Sequence, residues 1–98
     1  MAMIKIAPFR LKSDTDPTAF AVQDRRVQDE YITEQPGFRS RESAVADDGE
    51  RVVVIQWETA EDADASMQKF ETDRLAADFM ALVDPSSMST KRFETANP

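Results

Sequence analysis

The 98-residue chain contains no cysteine and no histidine. The missing cysteine excludes disulfide bonds, a thiolate nucleophile and cysteine-ligated zinc or iron–sulfur sites. The missing histidine excludes a Ser-His-Asp catalytic system, histidine-ligated zinc and haem bound by a proximal histidine. We therefore expect a protein that works without a metal or a cofactor, and a chain without cysteine suits the reducing cytoplasm.

Long apolar runs and an excess of basic residues are also missing. No run approaches the length that spans a bilayer, and the N-terminus lacks the apolar core and cleavage site of a signal peptide. The chain has 12 basic and 19 acidic residues and a formal net charge of −7. Binding to nucleic acid relies on clustered cations. We predict a soluble cytoplasmic protein that binds neither membranes nor nucleic acids.

The first third of the chain predicts a strand followed by a helix. Apolar and charged residues alternate over residues 3–11, as they do in a half-buried strand. Asp16 and Pro17 suit the N-cap and the first position of a helix. This helix is expected to end near residue 35, before Pro36-Gly37. Its apolar stripe consists of Phe20, Val27 and Tyr31.

The middle of the chain predicts a β-hairpin. Residues 38–46 and 51–58 are the two strands, and Asp48-Gly49 is a two-residue turn that makes Asp47 pair with Glu50. This register predicts that Ala44, Glu42 and Ser40 lie opposite Val53, Ile55 and Trp57 on the face that the helices cover. Arg39 and Arg41 are then expected on the other face, where they suit an interface.

A second helical region and a last strand follow. Thr59 is a good N-cap, so the helix is expected to begin at Ala60. The apolar spacing changes phase around residues 71–73, which predicts a break between two helical pieces. Asp84-Pro85 is expected to stop the second piece, and residues 87–94 weakly alternate as a fourth strand. Residues 95–98 are expected to form a loose tail.

The order strand, helix, strand, strand, helix, strand predicts one ferredoxin-like α+β domain over residues 1–98, with both helices on one face of an antiparallel sheet. Val52 and Val54 point to the face opposite Val53 and Ile55. A strand that is apolar on both sides is typically buried on both sides. We therefore expect a homodimer in which a second copy covers the open face of the sheet.

Two motifs carry a resemblance to a known family. Pro36-Gly37-Phe38 follows a helix, and the hydrophobic third strand ends at Trp57 before an acidic helix start. In these features the chain resembles the antibiotic biosynthesis monooxygenase family of the dimeric α/β-barrel superfamily. The resemblance implies a cofactor-independent monooxygenase that oxidises an aromatic or quinol-like molecule. Haem degradation, another activity in this fold, requires a histidine ligand that this chain lacks.

Trp57 and Glu42 are the catalytic candidates. Trp57 matches the family pattern, although a core aromatic would look the same in the sequence. Glu42, if it shares a face with Ile55, is a candidate proton acceptor; the alternative is an ordinary residue at the strand edge. The candidates for binding a small apolar or aromatic ligand are Phe20, Tyr31, Ser40, Met67, Phe70 and Phe79.

A second function fits the same residues. The chain would then be a non-catalytic dimeric domain that binds a small apolar ligand or serves as an interaction module. An apolar cavity with a converging polar group favours the oxygenase, whereas a tightly packed interior favours the non-catalytic domain.

Overall fold

The structure, a computed structural model, describes residues 2–96 and has one antiparallel sheet with helices on one face. A π-helical turn (Val27–Tyr31) and a 3-10 turn (Ile32–Glu34) extend the first helix, and a 3-10 turn (Pro85–Ser87) precedes the last strand. The other elements are β1 (Met3–Leu11), α1 (Pro17–Arg26), β2 (Phe38–Val45), β3 (Arg51–Trp57), α2 (Ala60–Thr72), α3 (Arg74–Met80), β4 (Val83–Asp84) and β5 (Lys91–Glu94).

The sheet confirms the predicted ferredoxin-like α+β topology. The strands run β2-β3-β1, and both β4 and β5 pair antiparallel with the second edge of β1. The two-residue strand β4 pairs with Arg10 and Leu11, and β5 pairs with residues 3–6. The last strand is therefore shorter than residues 87–94, and β4 is an addition that the sequence did not predict.

Side-chain caps begin all three α-helices, as expected for Asp and Thr before a first turn. The predicted starts at Pro17 and Ala60 are confirmed, and so is the break near residue 73. The last helix ends at Met80, earlier than the predicted stop at Asp84-Pro85. The capping bonds run from the Thr18 amide to Asp16 (2.9 Å), from the Asp62 amide to Thr59 (3.1 Å) and from the Leu75 amide to Asp73 (2.8 Å).

The hairpin turn differs from the prediction by one residue. The Ala46 amide donates to the Glu50 carbonyl at 2.7 Å, and the Gly49 amide donates to the Ala46 carbonyl at 3.0 Å. The loop therefore holds residues 47–49, with Gly49 in the left-handed region at φ +92°. This is the longer hairpin connection in which glycine takes the last loop position. The predicted pairing of Asp47 with Glu50 is wrong.

This one-residue difference exchanges the two faces of β2, because neighbouring residues of a strand point to opposite sides. Arg41 lies opposite Ile55 and faces the helices, whereas Glu42 lies opposite Val54 and Ser40 opposite Gln56 on the other face. The predictions that Glu42 and Ser40 share a face with Ile55, and that Arg41 points away from the helices, are wrong.

The helix-facing core is built around three aromatic rings. Phe9 from β1, Phe20 from α1 and Phe79 from α3 have centroids 5.2 to 6.0 Å apart in tilted or edge-on contacts. Phe9 and Phe20 are 0 % and 1 % exposed. A second cluster around Met3, Tyr31 and Trp57 packs toward the other end of the sheet.

No helix among residues 2–96 packs on the opposite face of the sheet, which we call the open face. Its centre is apolar, and Phe93 remains 42 % exposed. Beyond β5 the Thr95 amide donates to the Ala2 carbonyl at 3.0 Å, and residues 97–98 of the predicted tail lie outside the described part. The open face carries Ile4, Ile6, Val52 and Val54 at its centre and Phe93 on the edge strand β5.

The described helices include none with the length and apolarity that a membrane span requires.

Candidate functional site

A cavity of about 430 Å³ lies between the sheet and the helices. Its volume falls in the range of pockets that hold small organic molecules, and its lining is mostly apolar. Among the predicted site residues, those that line it are Tyr31, Trp57, Met67, Phe70 and Phe79.

The sheet supplies the floor of the cavity by strand alternation. Val53, Ile55 and Trp57 point inward from β3 at every second position. On the adjacent strand, Lys5 lies opposite Ile55 and Ala7 lies opposite Val53. Both face the cavity, and the small side chain of Ala7 leaves room above the sheet.

The π-helical turn shapes one wall. A π turn is wider than an α-helical turn and occurs often at functional sites. Here it brings both Val27 and Tyr31 to the cavity, where they are 4 % and 5 % exposed. The Tyr31 hydroxyl donates to the Ser66 carbonyl at 2.5 Å and lies 3.3 Å from the Ser66 Oγ. Burial raises the pKa of Tyr31, so its phenol stays neutral and its proton is committed to the backbone of α2.

Trp57 forms the end of the cavity. It is 2 % exposed, and its ring meets Phe38 edge-on with centroids 5.9 Å apart. Phe38 therefore holds the indole from one side while the other side borders the cavity. Both readings of Trp57 from the sequence, as a core aromatic and as a cavity wall, describe its position.

Lys5 is a cavity residue that the sequence reasoning missed. Its side chain enters from the middle of β1, and the ammonium Nζ lies 3.9 Å from the Met67 Sδ. Burial, together with the nearby Arg92 charge, lowers its pKa. Within residues 2–96 no carboxylate lies within ion-pair distance of it, since the ion pairs there involve Arg10, Arg26, Arg41 and Arg92.

Arg41 is a second inward-facing cation, and it is fully paired. Its side chain is 4 % exposed, and its guanidinium binds Asp24 at 2.6 Å and Gln28 at 3.5 Å. The pair ties β2 to α1. Arg41 therefore borders the cavity with its charge already compensated, unlike Lys5.

Three predicted site residues lie elsewhere. Phe20 packs behind Phe79 in the core, with ring centroids 5.2 Å apart, and does not line the cavity. Ser40 and Glu42 are exposed on the open face because of the shifted hairpin register. Across residues 2–96, no cluster of three or more acidic side chains is placed to hold a metal ion.

No family model matches the sequence, and no curated protein matches it. Solved structures do match. SnoaB, a cofactor-independent oxygenase from Streptomyces nogalater, has a TM-score of 0.81 and 15 % identity, over 99 % of this chain and 95 % of SnoaB. Rv0793 from Mycobacterium tuberculosis has a TM-score of 0.73 and 16 % identity, over 100 % and 98 % of the two chains.

A third similar structure is a Nitrosomonas europaea protein provisionally assigned as an antibiotic biosynthesis monooxygenase. It has a TM-score of 0.77 and 14 % identity, over 99 % of this chain and 92 % of that one. At these identities the likeness concerns the fold. The resemblance that the motifs at residues 36–38 and 57–63 predicted is confirmed at that level: this chain has the ferredoxin-like fold of the antibiotic biosynthesis monooxygenases.

Proposed function

We propose that this protein is a cofactor-independent monooxygenase that oxidises an aromatic or quinol-like molecule inside the cavity. The observation that carries the proposal is the 430 Å³ apolar space walled by Trp57, Tyr31 and Phe70, with a few polar groups at its edge. A tightly packed interior would have favoured a non-catalytic domain. The shared fold with SnoaB, a cofactor-independent oxygenase, supports the same class of reaction.

The proposed reaction requires few protein groups. A deprotonated phenol or anthrone is electron-rich enough to reduce oxygen, after which a carbon–oxygen bond forms at the activated ring carbon. The O–O bond then breaks, leaving one oxygen atom on carbon as a carbonyl and releasing the other as water. The substrate supplies all the electrons. The cavity excludes water, holds the ring and stabilises the anion, which are contributions of position and electrostatics.

The proposed roles follow from the placements. Trp57 closes the end of the cavity and is the catalytic candidate through its ring and indole N–H. Tyr31, Met67, Phe70 and Phe79 enclose the substrate ring. Phe20 supports Phe79 from behind, and Ser40 and Glu42 have no part in the site because they lie on the open face.

The proposal includes a cytoplasmic homodimer. The open face has an apolar centre of Ile4, Ile6, Val52 and Val54, and no helix in residues 2–96 covers it. Packing two such faces together buries all four side chains in each copy, which is the usual reason for a sheet to be apolar on both sides. The absence of cysteine favours a reducing compartment.

The decisive experiment is oxygen uptake by purified protein free of flavin, haem and metal, with a panel of anthrones and dihydroxyaromatics. Substrate-dependent uptake is expected in wild type. Trp57→Phe should lower turnover about tenfold or more, since Phe keeps much of the packing but lacks the N–H donor. The control is Phe20→Leu, which should lose stability but keep its turnover at a temperature where it is folded. No uptake with any substrate, or full turnover in Trp57→Phe, would contradict the proposal.

A non-catalytic ligand-binding domain is the second candidate. It is favoured by the Tyr31 hydroxyl bonded to the Ser66 carbonyl and by Arg41 paired with Asp24, since both polar groups are already satisfied. A cavity of that kind can hold an aromatic molecule without reacting with it. Tight ligand binding together with no oxygen uptake would select this function.

A further inference from the structure

We propose that Lys5 is the anion-binding residue of the cavity, which therefore takes aromatic ligands with an ionised oxygen, a phenolate or an enolate, paired with the Lys5 ammonium. The inference rests on the proposed function in placing an aromatic ligand in the cavity. It goes further by naming the side chain that recognises the ionised oxygen of the ligand.

The first step is the position of Lys5. It lies at the middle of β1, opposite Ile55, on the face that the helices cover. Its Nζ contacts the Met67 Sδ at 3.9 Å, and a thioether is only a weak acceptor. A lysine in the centre of a covered sheet face is uncommon, because its ammonium loses hydration there.

The second step is an account of the charges around it. From β5, Arg92 approaches with the same sign and is itself bound to Asp64 of α2 at 2.7 Å. From the π turn, the Tyr31 hydroxyl is a neutral phenol bonded to Ser66. Glu71 of α2 also lines the cavity and makes no ion pair with Lys5 within 4.0 Å in the described chain.

On the neighbouring strands, Arg41 is the other cation at the cavity, and Asp24 neutralises it at 2.6 Å. Every cation near the cavity except Lys5 therefore has a carboxylate partner among residues 2–96. The Lys5 side chain is partly buried, so its ammonium is only partly hydrated and can gain from an anionic partner inside the cavity. A ligand anion would supply the missing partner and would be held against the apolar walls by its ring.

The third step is the proton. Burial lowers the pKa of Lys5, so the fraction of Lys5 that is neutral is larger than for a free lysine, and that neutral amine can accept the proton of a phenol. The phenolic O–H bond breaks, an N–H bond forms on Nζ, and the products are a phenolate and an ammonium side by side. A ligand that arrives already ionised meets the protonated lysine and gives the same ion pair. Neither route needs an oxidant or another reactant.

The experiment uses 4-nitrophenol, whose phenol and phenolate differ in visible absorption. Binding is followed without oxygen through quenching of the emission of Trp57, the single tryptophan, which lines the cavity. In wild type, the pKa of bound 4-nitrophenol should fall by about 1 or more, as expected for an acid beside a cation. This corresponds to phenolate binding about tenfold tighter than the neutral phenol.

Lys5→Met should abolish this preference, because it fills the same space without a charge. Lys69→Met is the matched control, since it removes a lysine from the exposed surface of α2 and should keep the tenfold preference. Lys5→Arg should retain part of the preference for the phenolate, because arginine keeps the positive charge but has a different shape. This variant therefore distinguishes the effect of the charge from the effect of the side-chain shape. Wild-type protein that binds only the neutral phenol, that binds neither form, or that shows the same preference as Lys5→Met would overturn the proposal.

The two proposals fail in different ways. A Lys5-dependent phenolate preference without oxygen uptake by any substrate would uphold the anion site and reject the oxygenase. Oxygen uptake that is unchanged in Lys5→Met, together with equal binding of phenol and phenolate, would reject the anion site and uphold the oxygenase.

Discussion

The two faces of the sheet differ in a way that burial alone does not predict. The helix-covered face carries two charged residues beside the cavity, Lys5 on β1 and Arg41 on the edge strand β2. The open face is apolar at the centre of β1 and β3, although no helix in residues 2–96 covers it. This difference agrees with the two proposals made above, a ligand in the cavity and a second copy of the chain on the open face.

The largest effect should come from removing a core aromatic ring on the helix-covered face. Phe9 is 0 % exposed and touches both Phe20 and Phe79, so Phe9→Ala should lower the free energy of unfolding by about 3 to 5 kcal/mol. Phe93→Ala on the open face should cost less, since Phe93 lies on the edge strand β5 and is 42 % exposed within one copy of the chain. Urea unfolding of both proteins measures the difference. Equal losses would mean that the two faces are equally buried in solution.

The next effect concerns the open face. Val54→Asp places a charge at the centre of the proposed dimer interface, where an unpaired charge costs several kcal/mol. Sedimentation at micromolar concentration should show a dimer for wild type and a monomer or unfolded chain for the variant. Val22→Asp, at a position of α1 that is 53 % exposed, should leave the dimer intact. If wild type is a monomer, or if the Val54→Asp variant forms an unchanged dimer, the proposed sheet-to-sheet packing is wrong.

A smaller effect should come from the turn that sets which side of β2 faces the helices. Gly49 has φ +92°, and an added Cβ would meet only the Arg10 Nη1 at 3.8 Å, so Gly49→Ala costs backbone strain of about 1 to 2 kcal/mol. Gly37→Ala should cost more, because its φ is +79° and an added Cβ would also lie 2.7 Å from the Asp62 Cβ. Thermal unfolding of the two variants checks the order. A smaller loss at Gly37 would contradict the close approach of Asp62.

Local chemistry was enough to predict the main helices and strands, although not β4 or the π turn, and it did not predict which face of β2 lies toward the helices. Asp16 and Thr59 specify helix starts through their own side chains, and the topology follows from the order of elements. The register of the hairpin depends on whether Asp47 belongs to the loop, and Asp47-Asp48-Gly49 suits either length. The one-residue difference in register places Arg41 at the cavity and Glu42 on the open face.

Lys5 was missed for a related reason. Ile4 and Ile6 compete with Phe9 as markers of the buried side of β1, and they point to opposite faces. Because both faces are apolar, the alternation of β1 has no unique interpretation until its partner strand is placed. Lys5 and Phe9 are an even number of residues apart, so they point to the same face of the strand. This spacing was the available signal that Lys5 faces the helices. The π turn at Val27–Tyr31 had no local signal, because the same spacing of apolar residues suits an α-helix.

The smallest expected effect concerns the charge of Lys5 on the helix-covered face. Its pKa is lowered by burial from the ordinary value of 10.5, so between the lowered pKa and 10.5 the unfolded chain binds more protons than the folded one. Stability therefore rises with pH through that window, and the cost of the buried ammonium is fully present below the lowered pKa. Lys5→Met removes this group, so the variant should be the more stable protein, by under about 1 kcal/mol because the side chain is only partly buried. Its advantage should shrink as the pH rises toward 10.5.

Urea unfolding of both proteins from about pH 8 to about pH 11 measures the difference, with Lys69→Met as the control whose stability difference from wild type should stay near zero throughout. An advantage that is absent, or that grows with pH, would mean that the Lys5 ammonium is hydrated in the folded protein and does not carry the burial cost assigned to it.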